Sequence, residues 1–285
     1  MKSPTQLNIE IPGHTIAAQA WGDKGLGPTV LALHGWLDSS ASFARLAPLV
    51  QGARIVAVDL PGHGGSSHKP AGSSYHFVDA VSDTVAIIDA LGIERPILLG
   101  HSMGAGISSL VAGLLPSRIQ GACLIEGLGP LTDDAENSTT RLADSLKQQN
   151  KHRKDRRRVF ATLEDAAARL ELAQQVSLEA ATILAARATE PVEGGLRWRA
   201  DPRLRIPSRM RFTEAQVHAF LSAIEAPVRL IKADQGFPFD KATMAARVAL
   251  VRHLQLVEVP GNHHVHLDSP EFVAPALQEL INAST

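Results

Sequence analysis

The chain has 285 residues, of which 45% are hydrophobic and 20% are charged, and its formal net charge at pH 7 is −1. This length fits one large α/β domain, or one domain that carries an insertion. The near-zero net charge gives no reason to expect nucleic acid or an anionic membrane as a partner. Because Cys123 is the only cysteine, an internal disulfide is excluded and a reducing compartment is expected.

The first residues, MKSPTQLN, contain no apolar core of signal-peptide length. No run of about 20 apolar residues, the length that crosses a bilayer, occurs in the sequence. We therefore expect a cytoplasmic protein without a membrane span. The sequence leaves its oligomeric state open.

The first part of the chain alternates between apolar strands and helices. Predicted strands cover Leu7–Ile11, Thr15–Trp21, Thr29–Leu33, Arg54–Val58, Ile97–Leu99 and Ile119–Ile125. Predicted helices cover Ser42–Val50, Tyr75–Leu91 and the stretch after Ser102. Near-continuous apolar strands separated by helices indicate an α/β protein with a mostly parallel sheet covered on both faces.

The pattern changes between residues 128 and 207, which are rich in Ala, Arg and Glu and contain no strand-like run. Three helices are predicted there, at Leu142–Gln149, Val159–Ala173 and Leu178–Ala188. We interpret this segment as a helical cap inserted between two parts of a core, residues 1–127 and 208–285. The second part continues with predicted helices at Thr213–Ile224 and Lys241–Val251, strands at Val228–Lys232 and Leu254–Val259, and a last helix from Ser269-Pro270.

The motif Gly100-His101-Ser102-Met103-Gly104 stands between a predicted buried strand and a predicted helix. Its glycines suit a turn so sharp that a Cβ at either position would collide with the neighbouring strand or helix. Such a turn exposes a serine hydroxyl at the carboxyl end of a sheet, beside a helix N-terminus. Ser102 is therefore a candidate nucleophile.

A serine nucleophile needs a base, and the loop after the last predicted strand supplies histidines at the same sheet edge. His263, which follows Gly261-Asn262, is the chosen base; His264 and His266 are taken as its neighbours.

The base needs a carboxylate to orient it, and two candidates close strands at this edge. Glu126 ends an apolar strand, where an ionised group is costly unless it is paired. Asp234 follows another strand, but Asp also commonly begins turns. We prefer Glu126, keep Asp234 as the alternative acid, and regard Asp240 and Asp268 as minor options.

An oxyanion hole needs two converging N–H donors. The backbone N–H of Met103 follows the nucleophile, and that of Trp36 follows His34-Gly35, where the chain can turn closely. We assign Met103 and Trp36 to the oxyanion hole, and His34, Gly35 and His101 to the substrate pocket.

Other polar clusters are interpreted as structural. The basic run Lys147–Arg158 reads as a solvated face of the cap, and Asp59 with His63 reads as turn chemistry. Asn262, the neighbouring histidines and His266 lack the carboxylate or cysteine cluster that would complete a metal site. We expect no metal and no cofactor.

The segments LALHGW, DLPGHGGS, GHSMG and PGNHHVHLDSPE, in this order, resemble the α/β-hydrolase fold family over nearly the whole chain. HGWLDSSASF, DPRLR and RFTEAQVHAFL are most similar to its branch of serine hydrolase-like proteins. The resemblance implies an eight-stranded sheet, a helical lid after the sixth strand, no cofactor, and a Ser–His–acid triad that includes Ser102 and His263.

The chain departs from the family pattern at the acid. Many members have Gly-x-x-Asp after the seventh strand, whereas here Gly236 stands in the aspartate's place. Ile125-Glu126-Gly127 resembles some haloalkane dehalogenases, which place a glutamate after the sixth strand. Ser102 argues against dehalogenase or epoxide-hydrolase chemistry, because both need a carboxylate nucleophile.

The sequence thus predicts a serine hydrolase that acts on a small or medium carboxylic ester through an acyl-enzyme. Two other functions stay open. The same triad could hydrolyse carbon–carbon bonds or transfer acyl groups, or the fold could bind a ligand without catalysis.

Overall fold

The computed structural model describes residues 3–25, 27–151 and 157–284. The first part of the core contains β1 (Thr5–Ile11), β2 (His14–Trp21), β3 (Thr29–Leu33), β4 (Arg54–Val58), α1 (Phe77–Ala90), β5 (Ile97–His101), α2 (Met103–Leu114) and β6 (Gly121–Ile125). The insertion contains α3 (Ser138–Lys151), β7 (Val159–Phe160), α4 (Leu163–Gln174), α5 (Leu178–Ala188), β8 (Thr189–Val192) and β9 (Gly195–Trp198). The chain ends with α6 (Glu214–Ser222), β10 (Val228–Gln235), α7 (Lys241–Leu250), β11 (Leu254–Asn262), α8 (Val265–Asp268) and α9 (Ala274–Asn282).

The core is an eight-stranded sheet in the order β1-β2-β4-β3-β5-β6-β10-β11. From β4 to β11 neighbouring strands are parallel, while the β1–β2 hairpin joins antiparallel to β4. β5 and β6 are buried along their whole length, because helices cover both faces of the sheet. This confirms the predicted fold class.

Two apolar layers hold the sheet in place. One packs α1, α2 and α6 against it, through side chains such as Ile88, Leu110 and Val217. The other packs α9 and the turns before β4, through side chains such as Leu277 and Phe43. The parallel strands between these layers end at one edge, and the candidate site residues follow those ends.

The sequence predicted a purely helical insertion, but the insertion between β6 and α6 also contains strands. β7, β9 and β8 form a three-stranded antiparallel sheet beside α4 and α5. These strands have two to four residues, too short to show a period-2 pattern. The Glu193-Gly194 turn joins β8 to β9, and Gly194 has φ 83°; a glycine at such a turn is a hairpin signal that the prediction did not use. The domain boundaries at 127/128 and 207/208 remain a prediction.

Some element limits also differ from expectation. The helix predicted at Ser42–Val50 is replaced by two 3-10 turns, Ser40–Phe43 and Ala47–Leu49. α4 begins at Leu163 rather than Val159, because Thr162 and Asp165 form a capping box. The short α8 was not predicted, and the last helix begins at Ala274, after a 3-10 turn.

The predicted solvated face at Lys147–Arg158 lies partly outside the described residues, which omit 152–156. Of the described helices, none is long and apolar enough to cross a bilayer.

Candidate active site

Ser102 occupies a strained turn between β5 and α2. Its backbone has φ 52° and ψ −112°, a conformation that L-residues rarely adopt. The Ser102 N–H donates to the Ile125 carbonyl (2.8 Å), and the Ser102 carbonyl accepts from the Gly106 N–H (3.1 Å). The neighbouring strand and the first turn of α2 therefore hold the serine at the carboxyl edge of the sheet.

Both motif glycines are needed for close packing around this turn. A Cβ at Gly100 would lie 2.6 Å from the Ala105 nitrogen, and one at Gly104 would overlap the Leu33 carbonyl of β3. A side chain at either position would push α2 away from the sheet.

Glu126, directly after β6, is the carboxylate that meets the histidine. The residue is 1% exposed, and its backbone φ is 55°. Oε1 accepts from the Ala233 N–H (2.7 Å), while Oε2 accepts from the Phe237 N–H (2.6 Å) and lies 3.2 Å from Nδ1 of His263. These hydrogen bonds compensate for burying the carboxylate.

The other candidate acids are engaged elsewhere. Asp234 is exposed at a break in the β10–β11 register and accepts from the Gly261 N–H (2.9 Å). Asp240 caps α7 by accepting from the Thr243 N–H. Asp268 accepts from Ser177 of the insertion and from the Asn262 amide. Among the described residues, none of these three forms a hydrogen bond or an ion pair with His263.

His263 is held by its backbone as well as by Glu126. Nε2 of His101 donates to the His263 carbonyl (2.9 Å), and the two rings lie 4.8 Å apart. Since the Glu126 carboxylate can only accept, Nδ1 of His263 carries the proton of their bond, and Nε2 keeps a lone pair. The side chain is 24% exposed, so this nitrogen can serve a substrate.

His264 and His266 point into the protein. Burial lowers the pKa of His264 to about 3 and the pKa of His266 well below its usual value, so both rings are neutral. Nε2 of His266 lies 2.7 Å from the Ser42 hydroxyl. Sequence reasoning identified them correctly as neighbours of His263 but missed Ser42, which is far away in the chain.

The loop after β3 comes close to the nucleophile. A Cβ at Gly35 would lie 3.5 Å from Cβ of Ser102 and 3.0 Å from Nδ1 of His101, so glycine permits this approach. Met103 is the first residue of α2, where a backbone N–H has no partner within the helix. The assignment of the Trp36 and Met103 N–H groups to an oxyanion hole remains a prediction.

His34, Gly35 and His101 are buried and do not line the cleft beside Met103, and their assignment to the substrate pocket remains a prediction. His34 is wholly buried; the Leu60 N–H donates to its Nε2 (3.0 Å), and its Nδ1 donates to the Gly35 carbonyl (2.7 Å). His101 is 1% exposed beneath the serine turn. Both imidazoles stabilise loops from inside the protein: His34 binds the backbone of Gly35 and Leu60, and His101 binds the backbone of His263.

The cleft beside Met103 is bounded by the core and by the insertion. It has a volume of about 120 Å³, and its walls include Trp36, Leu60, Tyr75 and Ile206. The indole N–H of Trp36 donates to the Leu204 carbonyl (3.0 Å), which ties the β3 loop to the insertion.

Asp59 and His63 are structural, as interpreted from the sequence. Burial by itself would raise the pKa of Asp59, but Arg187 of α5 and the N–H groups of Gly65 and Ser40 lower it. Arg187 contacts the Asp59 carboxylate at 2.8 Å. This ion pair fastens the insertion to the turn after β4.

Within the part of the chain that the structure describes, one group of potential metal ligands comes together: Asp38, His101 and His264, all buried. It differs from the Asn262–His266 set considered in the sequence. Asp38 was not singled out there, because nothing near it in the sequence signals a ligand.

Comparisons with known proteins agree with this architecture. A family model described as the alpha/beta hydrolase fold matches residues 28–270. A "Serine hydrolase-like protein" from Danio rerio is 32% identical and covers 98% of this chain and 89% of its own. A hypothetical protein from Pseudomonas aeruginosa PAO1 is 42% identical, with a TM-score of 0.90 over 98% of both chains.

A thioesterase domain from the curacin biosynthetic pathway is 28% identical, with a TM-score of 0.85 over 99% of this chain and 100% of that one. The match of the family model over most of the chain, together with the relative from Danio rerio, shows that this chain belongs to the α/β-hydrolase fold family.

Proposed function

We propose that the protein is a serine hydrolase that cleaves small or medium carboxylic esters through an acyl-enzyme. One observation carries the proposal: Nδ1 of His263 lies 3.2 Å from Oε2 of Glu126 at the sheet edge that bears the Ser102 turn. A buried acid, a partly exposed imidazole and a serine on a strained turn are the parts that activate a hydroxyl nucleophile.

In the proposed reaction, Ser102 Oγ attacks the ester carbonyl carbon while its proton passes to Nε2 of His263. Glu126 stabilises the imidazolium. The N–H groups of Met103 and Trp36 receive the oxyanion. When the tetrahedral intermediate collapses, the carbon–oxygen bond to the alcohol breaks and His263 returns its proton to the leaving oxygen. Water then repeats these steps on the acyl-enzyme and releases the acid.

The cleft supports a small acyl group. Its volume of about 120 Å³ is below the roughly 300–1,000 Å³ of ordinary ligand pockets. Trp36, Leu60 and Ile206 give it apolar walls, which suit an aliphatic chain better than a charged one. The thioesterase domain among the similar structures makes acyl thioesters the comparison substrates of choice.

The test combines a fluorophosphonate probe, which reacts with activated serines, with p-nitrophenyl esters of increasing acyl length. We expect labelling of the wild type and loss of labelling in Ser102→Ala. Turnover should be highest for short acyl chains. Ser108→Ala is a matched control, since Ser108 is a buried serine on the same helix and should leave labelling intact.

Other results would redirect the assignment. Labelling without ester turnover would favour carbon–carbon hydrolysis or acyl transfer by the same residues. Absence of labelling in a folded wild type would contradict the proposal and favour a ligand-binding protein on this fold.

A further inference from the structure

A buried cluster beneath the serine turn has no part in the proposed reaction. Asp38, His101 and His264 are 4%, 1% and 6% exposed. They come from the loop after β3, the end of β5 and the loop after β11. We propose that these three side chains form a binding site for a transition-metal ion of the zinc type, and that the bound ion inhibits the protein.

The spacing of the donor atoms fits one ion. One ligand atom from each residue lies within 4.8 Å of the others. For any such triangle, a point exists no more than about 2.8 Å (4.8 Å divided by √3) from all three atoms. Zinc bonds to nitrogen and to carboxylate oxygen measure about 2.0–2.2 Å. An inward movement of about 0.7 Å or less therefore brings all three atoms within bonding distance of one ion, and water would be the fourth ligand of a tetrahedral site.

The His101 donor atom is also free to bind. Nε2 of His101 donates to the His263 carbonyl, which leaves a lone pair on Nδ1. This Nδ1 has no hydrogen-bond partner among the described residues. Buried polar atoms are normally paired, so this unpaired nitrogen calls for an explanation. A cation at the cluster supplies one.

Asp38 provides the oxygen ligand of the site; burial raises the pKa of this carboxyl to about 7, and a metal ion that binds the carboxylate takes the place of its proton. Its Oδ2 lies 3.9 Å from Nε2 of His264, too far for a hydrogen bond but near the separation of about 3.4 Å between two ligands of a tetrahedral zinc ion. The Ser42 hydroxyl donates to the same oxygen (2.8 Å), and the Ser39 N–H donates to Oδ1 (2.8 Å). Hydrogen bonds of this kind orient a carboxylate that binds a metal.

Inhibition follows from the chain positions of the ligands, and this part rests on the proposed function. His101 precedes Ser102, His264 follows His263, and Asp38 follows the loop that contains Trp36. Drawing the three ligands together shifts Ser102, His263 and the loop that contains Trp36 at once. Catalytic geometry tolerates displacements of only a fraction of an ångström.

Binding is measured first, without reference to activity, by equilibrium dialysis of the whole protein against Zn²⁺ alone. Asp38→Asn and His264→Gln each remove one ligand while keeping the approximate size of the side chain. We expect each to raise the dissociation constant by about 100-fold or more. His253→Gln is the control, since His253 is exposed, and it should bind Zn²⁺ as the wild type does. Urea unfolding without metal verifies that each variant folds.

A crystal of the wild type soaked with Zn²⁺ locates the ion independently of any variant. We expect anomalous scattering at the zinc edge between Asp38, His101 and His264. No bound zinc, or zinc held by His263 and Glu126 instead, would overturn the site.

The inhibitory part is tested by the rate of fluorophosphonate labelling with Zn²⁺ and with a chelator. We expect Zn²⁺ to slow labelling of the wild type at least tenfold and to have little effect on His264→Gln. If zinc binds at the cluster but the labelling rate does not change, the proposed inhibition is wrong and the proposed binding site stands. A wild type that is never labelled, with or without zinc, would instead contradict the proposed function.

Discussion

Gly236 leaves open the space that the Glu126 carboxylate fills, since a Cβ at position 236 would overlap both carboxylate oxygens. The position to which the family resemblance assigns the acid therefore has no side chain, and the carboxylate that follows the neighbouring strand β6 lies beside His263 instead. The glycine and the glutamate form one arrangement, because either residue is of little use to His263 without the other.

We expect Gly236→Ala to disrupt this arrangement. The added methyl group must displace Glu126 from Nδ1 of His263, so kcat should fall by about 10²-fold or more, and overpacking should destabilise the fold by about 1–3 kcal/mol. Ester turnover and urea unfolding measure the two effects.

Gly194→Ala is the matched control, because a Cβ at Gly194 would meet no atom within 4 Å, although its positive φ carries some strain of its own. It should keep kcat near the wild-type value. If Gly236→Ala retained full turnover, the contact between positions 236 and 126 would not matter to the reaction.

The two candidate acids can be separated by isosteric amides. In Glu126→Gln, an amide NH₂ that faces Nδ1 of His263 would favour the ring tautomer with its proton on Nε2, where the base needs a lone pair. We expect kcat to fall by about 10²- to 10⁴-fold. Asp234→Asn keeps an oxygen that can accept from the Gly261 N–H, so its kcat should change little. The reverse ranking would transfer the role to Asp234.

Parts of the fold could be predicted because the relevant signals are local. The apolar runs of β3 to β6 and the Gly100–Gly104 motif each lie within one short segment, so periodicity and turn chemistry suffice. β7 to β9 could not be predicted in this way, because strands of two to four residues depend on their partners rather than on a pattern of their own.

At the site, the information missing from the sequence concerns distant contacts. The strand-end rule places Glu126 and Asp234 at one edge, but only the folded chain shows which of them faces His263. Likewise, only the folded chain shows that Asp38 lies beside His101 and His264, because the three segments that contain them share no motif.

His63 should make stability depend on pH. Burial lowers its pKa to about 3 in the folded protein, helped by the nearby His34, whereas an unfolded histidine titrates near 6.5. Between these values only the unfolded state takes up the proton, so stability that is present at neutral pH is lost as the pH falls below about 6.5. For this one group the loss by pH 5 is about 2 kcal/mol.

We therefore expect His63→Gln to lose less unfolding free energy between pH 7 and pH 5 than the wild type, by about 1–2 kcal/mol. Urea denaturation at the two pH values measures the difference. His253→Gln, which alters an exposed histidine, should follow the wild type. Equal losses in all three proteins would mean that His63 does not remain neutral in the fold.

Breaking the ion pair between Arg187 and Asp59 should strongly destabilise the fold. Asp59 is buried and Arg187 is its cationic partner, so Arg187→Met leaves a carboxylate with only the Ser40 and Gly65 N–H groups. Removing one partner of a buried pair costs about 3–5 kcal/mol, and these two hydrogen bonds favour the lower end of that range. Arg169→Met, at an exposed position of α4, should change stability by about 0.5 kcal/mol or less.

The double variant Asp59→Asn/Arg187→Met separates the cost of an isolated charge from the loss of attraction. Asparagine fills the same space without a charge, so the double variant should be more stable to urea than Arg187→Met alone. If the double variant were the less stable of the two, the hydrogen bonds of Asp59 to the core loops, rather than its charge, would be what holds this side of the insertion.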